Sequence, residues 1–207
     1  MGNLLRRYWY PIAATTELDG RPLRRVRLLG ANLTLLRDAA GTLGLVQAGS
    51  AVVYPVEELA GLLWAYLGPF PAPLIPRIDG FVVDGAIRLI GKAIVPCNWL
   101  QIMENSFDPV HTEWLHGKLY EFLRERDGAH VAISRHHLKI RFQEFPYGVY
   151  KQRLLEGQTD TCDDWTVGHP VVFPNILATG SAAPTWRNYS IPDSRPDGRR
   201  EHAAPLV

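Results

Sequence analysis

The 207 residues carry 22 Lys and Arg against 21 Asp and Glu, a formal charge of +1, and the positive residues are scattered, so a phosphate backbone finds no electrostatic footprint and nucleic acid is not an expected partner. Hydrophobic residues make up 46% and charged residues 21% of the chain, which excludes wholesale disorder and suits one domain or two small ones. The longest apolar run, Leu62 to Leu67, is far short of the ~20 residues that span a bilayer, and two cysteines, Cys97 and Cys162, exclude a disulfide framework or a zinc finger, so a cytoplasmic protein is expected.

In chain order, residues 22–29, 32–37 and 43–47 are β-prone runs broken by Gly30-Ala31 and Ala40-Gly41, which predicts a meander. Val52 to Pro55 and Leu62 to Leu67 predict a second pair of strands, ended by Gly68-Pro69. Pro69, Pro71, Pro73 and Pro76 form a stiff extended connector, because each fixes φ and lacks an N–H, and a domain boundary is placed there. Gly85 to Lys92 is no phosphate loop: five residues separate its glycines where four are required, and Ala93 replaces Ser or Thr. From Asn98 the pattern turns helical, with Trp99, Ile102, Met103 and Phe107 at spacings of three and four.

Asp108-Pro109 then supplies an Ncap and N1 pair for a second helix, which carries His111 and His116, is loosened by Gly117 and continues towards Arg126. Segments 131–142 and 147–155 alternate as a hairpin, and Pro170 to Leu177 reads as another strand. The last 28 residues are rich in Pro, Ser, Arg and Asp and are expected to be poorly ordered. His136 and His137, adjacent in a strand, are expected to point to opposite faces and not to share a metal. His169 reads as structural, and Trp64, Tyr66, Trp99 and Trp165 as core.

The informative stretch runs from Asn98 to Gly117. Two imidazoles with carboxylates and an amide nearby suit a divalent first-row metal. Five residues along an ideal α-helix turn through about 500°, leaving the two rings roughly 140° apart around the axis. Joint ligation therefore needs a helix end or a distortion, and surface or hydrogen-bonded histidines are the alternative.

The whole string, Asn98-Trp99-Leu100-Gln101-Ile102-Met103-Glu104-Asn105-Ser106-Phe107-Asp108-Pro109-Val110-His111-Thr112-Glu113-Trp114-Leu115-His116-Gly117, resembles the mononuclear-iron motif of the Rieske non-haem iron oxygenase α subunits, in their phthalate dioxygenase-like branch. Similar strings lie upstream, at Arg6 to Ala13, Val26 to Gly30, Tyr54 to Leu59 and Leu63 to Gly68, and downstream, at Asp163 to Pro170 and Phe173 to Leu177. The resemblance implies an α+β fold. Residues 1–70 would be the remnant of an N-terminal Rieske-type β domain, residues 71–180 a helix-grip catalytic domain of antiparallel sheet plus helices, and residues 181–207 an unmatched tail. It implies that His111 and His116 bind mononuclear Fe(II), that Asn105 lies close to the iron, and that Asp108 links the iron to the Rieske [2Fe–2S] cluster of a neighbouring subunit, which suggests a homotrimer. The implied activity is O₂-dependent hydroxylation of an aromatic or similar apolar substrate, by dioxygenation, monooxygenation or O-demethylation, with electrons from an NAD(P)H-dependent reductase or ferredoxin.

The chain departs from that pattern in two places. A Rieske cluster needs two Cys and two His, and there is neither from Met1 to Ile94. The family's cluster-binding loops would fall where the chain passes directly from Gly44-Leu45-Val46-Gln47 to Ala51-Val52-Val53-Tyr54. The family's third iron ligand, a downstream carboxylate, has no counterpart, Asp193 and Asp197 being acids in a solvated tail. A helix-grip binding module for a small apolar ligand, without a working metal, is therefore the competing expectation. A metal-dependent hydrolase ranks third, because no base is spaced as in zinc hydrolase motifs.

Overall fold

A computed structural model describes residues 3–93, 95–130, 135–179 and 188–190 of the chain. They pack as two compact units, one running to Trp99 and the other from Leu100 to Tyr189.

The first unit is all β at its centre. Its strands are β1 (Trp9–Ala14), β2 (Leu23–Leu28), β3 (Ala31–Arg37), β4 (Leu43–Gln47), β5 (Val53–Tyr54), β6 (Val56–Leu59) and β7 (Leu62–Tyr66). They form two antiparallel sheets, β2-β3-β4-β5 and β1-β7-β6. The predicted meander is β2, β3 and β4. Two of the hairpins close with two-residue turns whose residues both have positive φ, Leu29 (49°) with Gly30 (81°) and Ala60 (58°) with Gly61 (77°). That turn matches the right-handed twist of the strands it joins, and its second residue is the one best filled by glycine.

The pairing after Gln47 differs from the expectation. Val52 to Tyr54 does not pair with β7, to which the run contributes only the Pro55 carbonyl, accepting from the Tyr66 N–H at 3.2 Å. Instead β5 extends the meander sheet through Leu45–Tyr54 and Val46–Val53, and the hairpin partner of β7 is β6. Pro55 has no N–H for a ladder, so β5 ends there and the chain crosses to the other sheet. Strand β1 has no clear signature in the sequence, because Pro11 sits inside it. It survives as an edge strand, paired to β7 alone with a register shift between Pro11 and Ala13, the setting in which a sheet tolerates proline.

The core lies between the two sheets. Val26 and Leu28 of β2, Leu33 and Leu35 of β3, and Leu45 of β4 meet Tyr10 and Ala13 of β1 and Leu63 and Ala65 of β7. Each fully buried leucine contributes roughly 1.5–3 kcal/mol. Strand β7 is buried on both faces. Trp64 packs against Phe81 of the short helix α1 (Asp79–Val82), with ring centroids 5.5 Å apart, and Tyr66 packs against Trp9 at 5.5 Å. Trp9 Nε1 also donates to the Pro73 carbonyl at 2.7 Å, which ties the proline-rich connector to β1.

The second unit holds most of α2 (Trp99–Phe107), then a π turn (Thr112–Gly117), α3 (Lys118–Arg126), β8 (His137–Phe145), β9 (Gly148–Leu155), α4 (Asp163–Thr166), β10 (His169–Val172), β11 (Ile176–Thr179) and β12 (Asn188–Ser190). Its antiparallel sheet has the order β12-β11-β10-β9-β8. The predicted helix and hairpin are there, although the part of the hairpin expected over residues 131–134 lies outside the described residues. Pro170 to Leu177 is two strands, not one: β10 and β11 fold back on each other around Phe173-Pro174-Asn175, with Val171 paired to Leu177. Three residues of the tail, as β12, form a strand beside β11; the rest of it, with Asp193 and Asp197, lies outside the described residues. Trp64, Tyr66 and Trp99 are core, whereas Trp165 is half-buried, its ring under the Arg141 guanidinium at 4.7 Å and the Lys139 ammonium at 5.6 Å. No helix among the described residues is long and apolar enough to cross a membrane.

Candidate metal centre

The site is built at the break between α2 and the helical segment that follows. The Asp108 N–H donates to the Glu104 carbonyl at 3.0 Å, closing α2. Asp108 Oδ1 then accepts from the Val110 N–H at 2.8 Å, so Asp108 is the Ncap and Pro109 the N1 residue of the new segment, as its sequence predicts.

What the sequence does not reveal is how that segment winds. Thr112–Gly117 is a π turn, and the Lys118 N–H reaches back to the Glu113 carbonyl, five residues earlier. In α geometry positions i and i+5 diverge; in a π turn they lie nearly one turn apart and share a side. The imidazoles of His111 and His116 accordingly come together with ring centroids 5.1 Å apart and planes at 71°. This is the distortion that joint ligation requires, and Gly117, buried at its end, terminates it.

The electrostatics suit a metal. Burial, the largest effect, pushes the His111 pKa down, against the opposing effects of the Asp108 backbone and carboxylate, while His116 and Lys151 lower it further. The ring is therefore neutral near pH 7, the form that ligates. Its Nδ1 is buried without a hydrogen-bond partner, and the nearest carboxylate oxygen, Asp108 Oδ2, is 3.7 Å away, an ion-pair distance and not a hydrogen bond. A buried polar atom with no partner is costly, and a nitrogen uncommitted to the protein is available to a metal or to its surrounding bonds. His116 is exposed. Asn105 is exposed on the last turn of α2, and no hydrogen bond among the described residues ties it to either ring.

Two residues of this neighbourhood escaped the sequence reading. Lys151 of β9 is buried and donates from Nζ to the Ser106 carbonyl at 2.7 Å, placing a cation at the C-terminal end of α2, where the helix dipole favours it. Burial first, and then Arg153, lower its pKa to about 8, against the opposing charge of Asp108. Glu113, also buried, accepts from His136 Nδ1, His137 Nδ1 and the His137 N–H, each at 2.9 Å. Those bonds, the one from the His136 side chain foremost, hold the Glu113 carboxyl at about 2, and Glu113 in turn raises the His136 pKa. The two neighbouring histidines thus do not point to opposite faces. His136 precedes β8, so strand alternation does not govern it, and both rings converge on one carboxylate. A lysine at an inward strand position and a glutamate between two histidines give no signal of these partners in sequence.

His169 is buried and bonded through Nε2 to Asp164 Oδ1 at 3.0 Å, in keeping with a structural role. His111 and His116 are the two imidazoles that the structure brings side by side. Among the described residues no group of three or more His, Cys, Asp or Glu could hold a metal ion, so the third ligand does not come from them. A Rieske cluster does not fit the residues present. Cys97 and Cys162 fall in different units, and where the cluster loops would be expected the Ser50 N–H closes a turn on the Gln47 carbonyl at 3.0 Å and β4 pairs directly with β5.

No family model matches the chain. By sequence it belongs with the oxygenase subunits of the Rieske non-haem iron oxygenases. The 5,5'-dehydrodivanillate O-demethylase oxygenase subunit of Sphingobium sp. (strain NBRC 103272 / SYK-6) is 34% identical over 232 residues, covering 87% of this chain and 54% of the relative. The phthalate 4,5-dioxygenase oxygenase subunit of Pseudomonas putida is 28% identical over 201 residues, covering 70% and 45%. The chain thus spans about half the length of the curated relatives it matches. An alignment over 232 residues is also longer than this 207-residue chain can fill, so part of the first relative faces a gap. In fold, the oxygenase of carbazole 1,9a-dioxygenase, solved in complex with its ferredoxin, superposes with a TM-score of 0.71 at 18% identity, over 97% of this chain and 71% of that one. The terminal oxygenase of carbazole 1,9a-dioxygenase from Nocardioides aromaticivorans IC177 gives 0.65 at 15% identity, over 97% and 74%.

Proposed function

We propose that this chain carries the mononuclear-iron site of an oxygenase component that hydroxylates an aromatic or similar apolar substrate with O₂. The observation that carries the reading is the π turn, which brings His111 and His116 together in a chain whose relatives are oxygenase subunits. Fe(II) bound there would supply O₂ activation. The protein's part is to hold it. Burial keeps the His111 imidazole neutral, Asp108 fixes the start of the segment through its cap bond, and Lys151 anchors the end of α2. Two imidazole ligands, completed by a carboxylate, leave coordination positions open for O₂ and substrate.

Asp108 also has a half-exposed carboxylate next to His111, and we assign it the link between this site and electrons arriving from outside the chain, from a neighbouring subunit of a homotrimer and ultimately from an NAD(P)H-dependent reductase or ferredoxin. Asn105 is assigned to the iron's surroundings. The relatives' names include an O-demethylase, a dioxygenase and a tert-butanol monooxygenase, so the reading extends to oxygenation of aromatic or similar apolar substrates as a class, in a cytoplasm that supplies NAD(P)H.

The competing reading, a binding module for a small apolar ligand, draws on the absence of a three-residue metal set among the described residues. Nitric oxide separates the two. Added anaerobically to the Fe(II)-loaded chain, it should give the half-integer-spin EPR signal of an iron–nitrosyl with an open position. Iron that is not retained, or that gives no such signal, would leave the binding module.

A further inference from the structure

A π turn is a rare, locally disfavoured winding that persists where its surroundings hold it. Here two side-chain tethers act at its first two residues. Thr112 Oγ1 accepts from Arg153 Nη1 at 3.1 Å and donates to the Pro109 carbonyl at 2.6 Å. Glu113 is the stronger anchor. Its two carboxylate oxygens take three hydrogen bonds of 2.9 Å from His136, just before β8, and His137, the first residue of β8, and the side chain is only 7% exposed. Its own carbonyl also accepts the bond from Lys118 that spans five residues and defines the turn. One residue therefore carries both the backbone mark of the π winding and the clamp that ties it to the sheet.

We propose that Glu113 is a positioning residue for the metal centre, its carboxylate clamp on His136 and His137 holding the turn in π register so that His111 and His116 face one another. Released from the clamp, Thr112–Gly117 relaxes towards α geometry, in which the two rings lie roughly 140° apart. For metal binding this rests on the iron-site reading above; for the winding it does not. His136, with a side chain 64% exposed, is the softest point of the clamp, because its removal leaves no cavity.

The test uses the full chain and two readouts, the nuclear Overhauser contact between the His111 and His116 rings without metal, and Co(II) affinity from its visible absorption. In the unsubstituted chain the ring contact is present and Co(II) binds. Glu113→Gln keeps the size but points an NH₂ at a donor. It should abolish the ring contact and weaken Co(II) by about 10- to 100-fold, the usual range for partners that orient metal ligands, while β9 and β10 keep their amide-exchange protection. His136→Ala, which removes one of the three bonds, should give a smaller loss in both readouts, and it decides the matter if Glu113→Gln does not fold. Retention of the ring contact and of Co(II) affinity in the folded variants, or its absence from the unsubstituted chain, overturns the proposal. A ring contact that responds as expected in a chain that binds no Co(II) upholds the clamp and removes the iron-site reading instead.

Discussion

Asp108 does two things that different substitutions separate. Its Oδ1 caps the second helical segment, and its other oxygen places negative charge 3.7 Å from His111. Asparagine caps about as well as aspartate, whereas alanine loses about 1 kcal/mol. Asp108→Asn is therefore expected to leave the urea midpoint nearly unchanged and Asp108→Ala to lower it, with Asp108→Asn nonetheless abolishing most turnover in a complete, cluster-bearing oxygenase. A marked loss of stability in Asp108→Asn with normal turnover per folded molecule would reduce Asp108 to a cap. The histidines allow a simpler forecast. If His111 and His116 are the two imidazole ligands of one iron, as proposed, His111→Ala or His116→Ala should each remove most of the iron retained after anaerobic reconstitution, measured as iron per chain.

Among the elements, β9 and β10 approach closely at Gly148, where an added Cβ would lie 1.9 Å from the Val171 carbonyl oxygen. Strand separation cannot absorb that, so Gly148→Ala should cost about 3 kcal/mol, at the upper end of overpacking, read as a lower denaturant midpoint. The elements were legible in sequence where local chemistry sets them. The helix periodicity from Trp99 to Phe107, the Asp108-Pro109 restart and the Leu28 to Ala31 hairpin all depend on near neighbours. Elements set by tertiary context were not. Pro11 hid β1 because its tolerance depends on being at an edge, and Pro174 and Asn175 turned one apolar run into two strands. The site follows the same division. His111, His116 and Asp108 were readable as a string, but the π turn that unites them is held by Glu113, His136, His137 and Arg153, partners more than twenty residues apart in sequence with no periodic signature.

At the scale of the whole molecule, acid stability draws on Asp164. The hydrogen bond from His169, together with Gln158 and Arg153 and against the opposing effect of burial, lowers its pKa from 3.8 to about 2. A carboxylate depressed on folding contributes stability that is present above its unfolded pKa and is lost as pH falls through the folded one. Unfolding free energy should thus decline from about pH 4 towards pH 2, and Asp164→Asn should make that decline shallower without flattening it, because Glu113, also held at about 2, titrates in the same window. Urea titrations across that range check it; an unchanged slope would mean that the Asp164–His169 pair does not persist in solution.

If the π turn makes His111 and His116 joint ligands of one iron, in a chain without the residues for a Rieske cluster, that iron is surrounded by two imidazoles and no sulfur. X-ray absorption at the iron edge of the anaerobically reconstituted chain addresses it most directly. Nitrogen and oxygen scatterers are expected, with the multiple scattering of two imidazoles, falling in His111→Ala and in His116→Ala. Sulfur scatterers, an iron–iron vector, or an imidazole contribution untouched by both substitutions would contradict it.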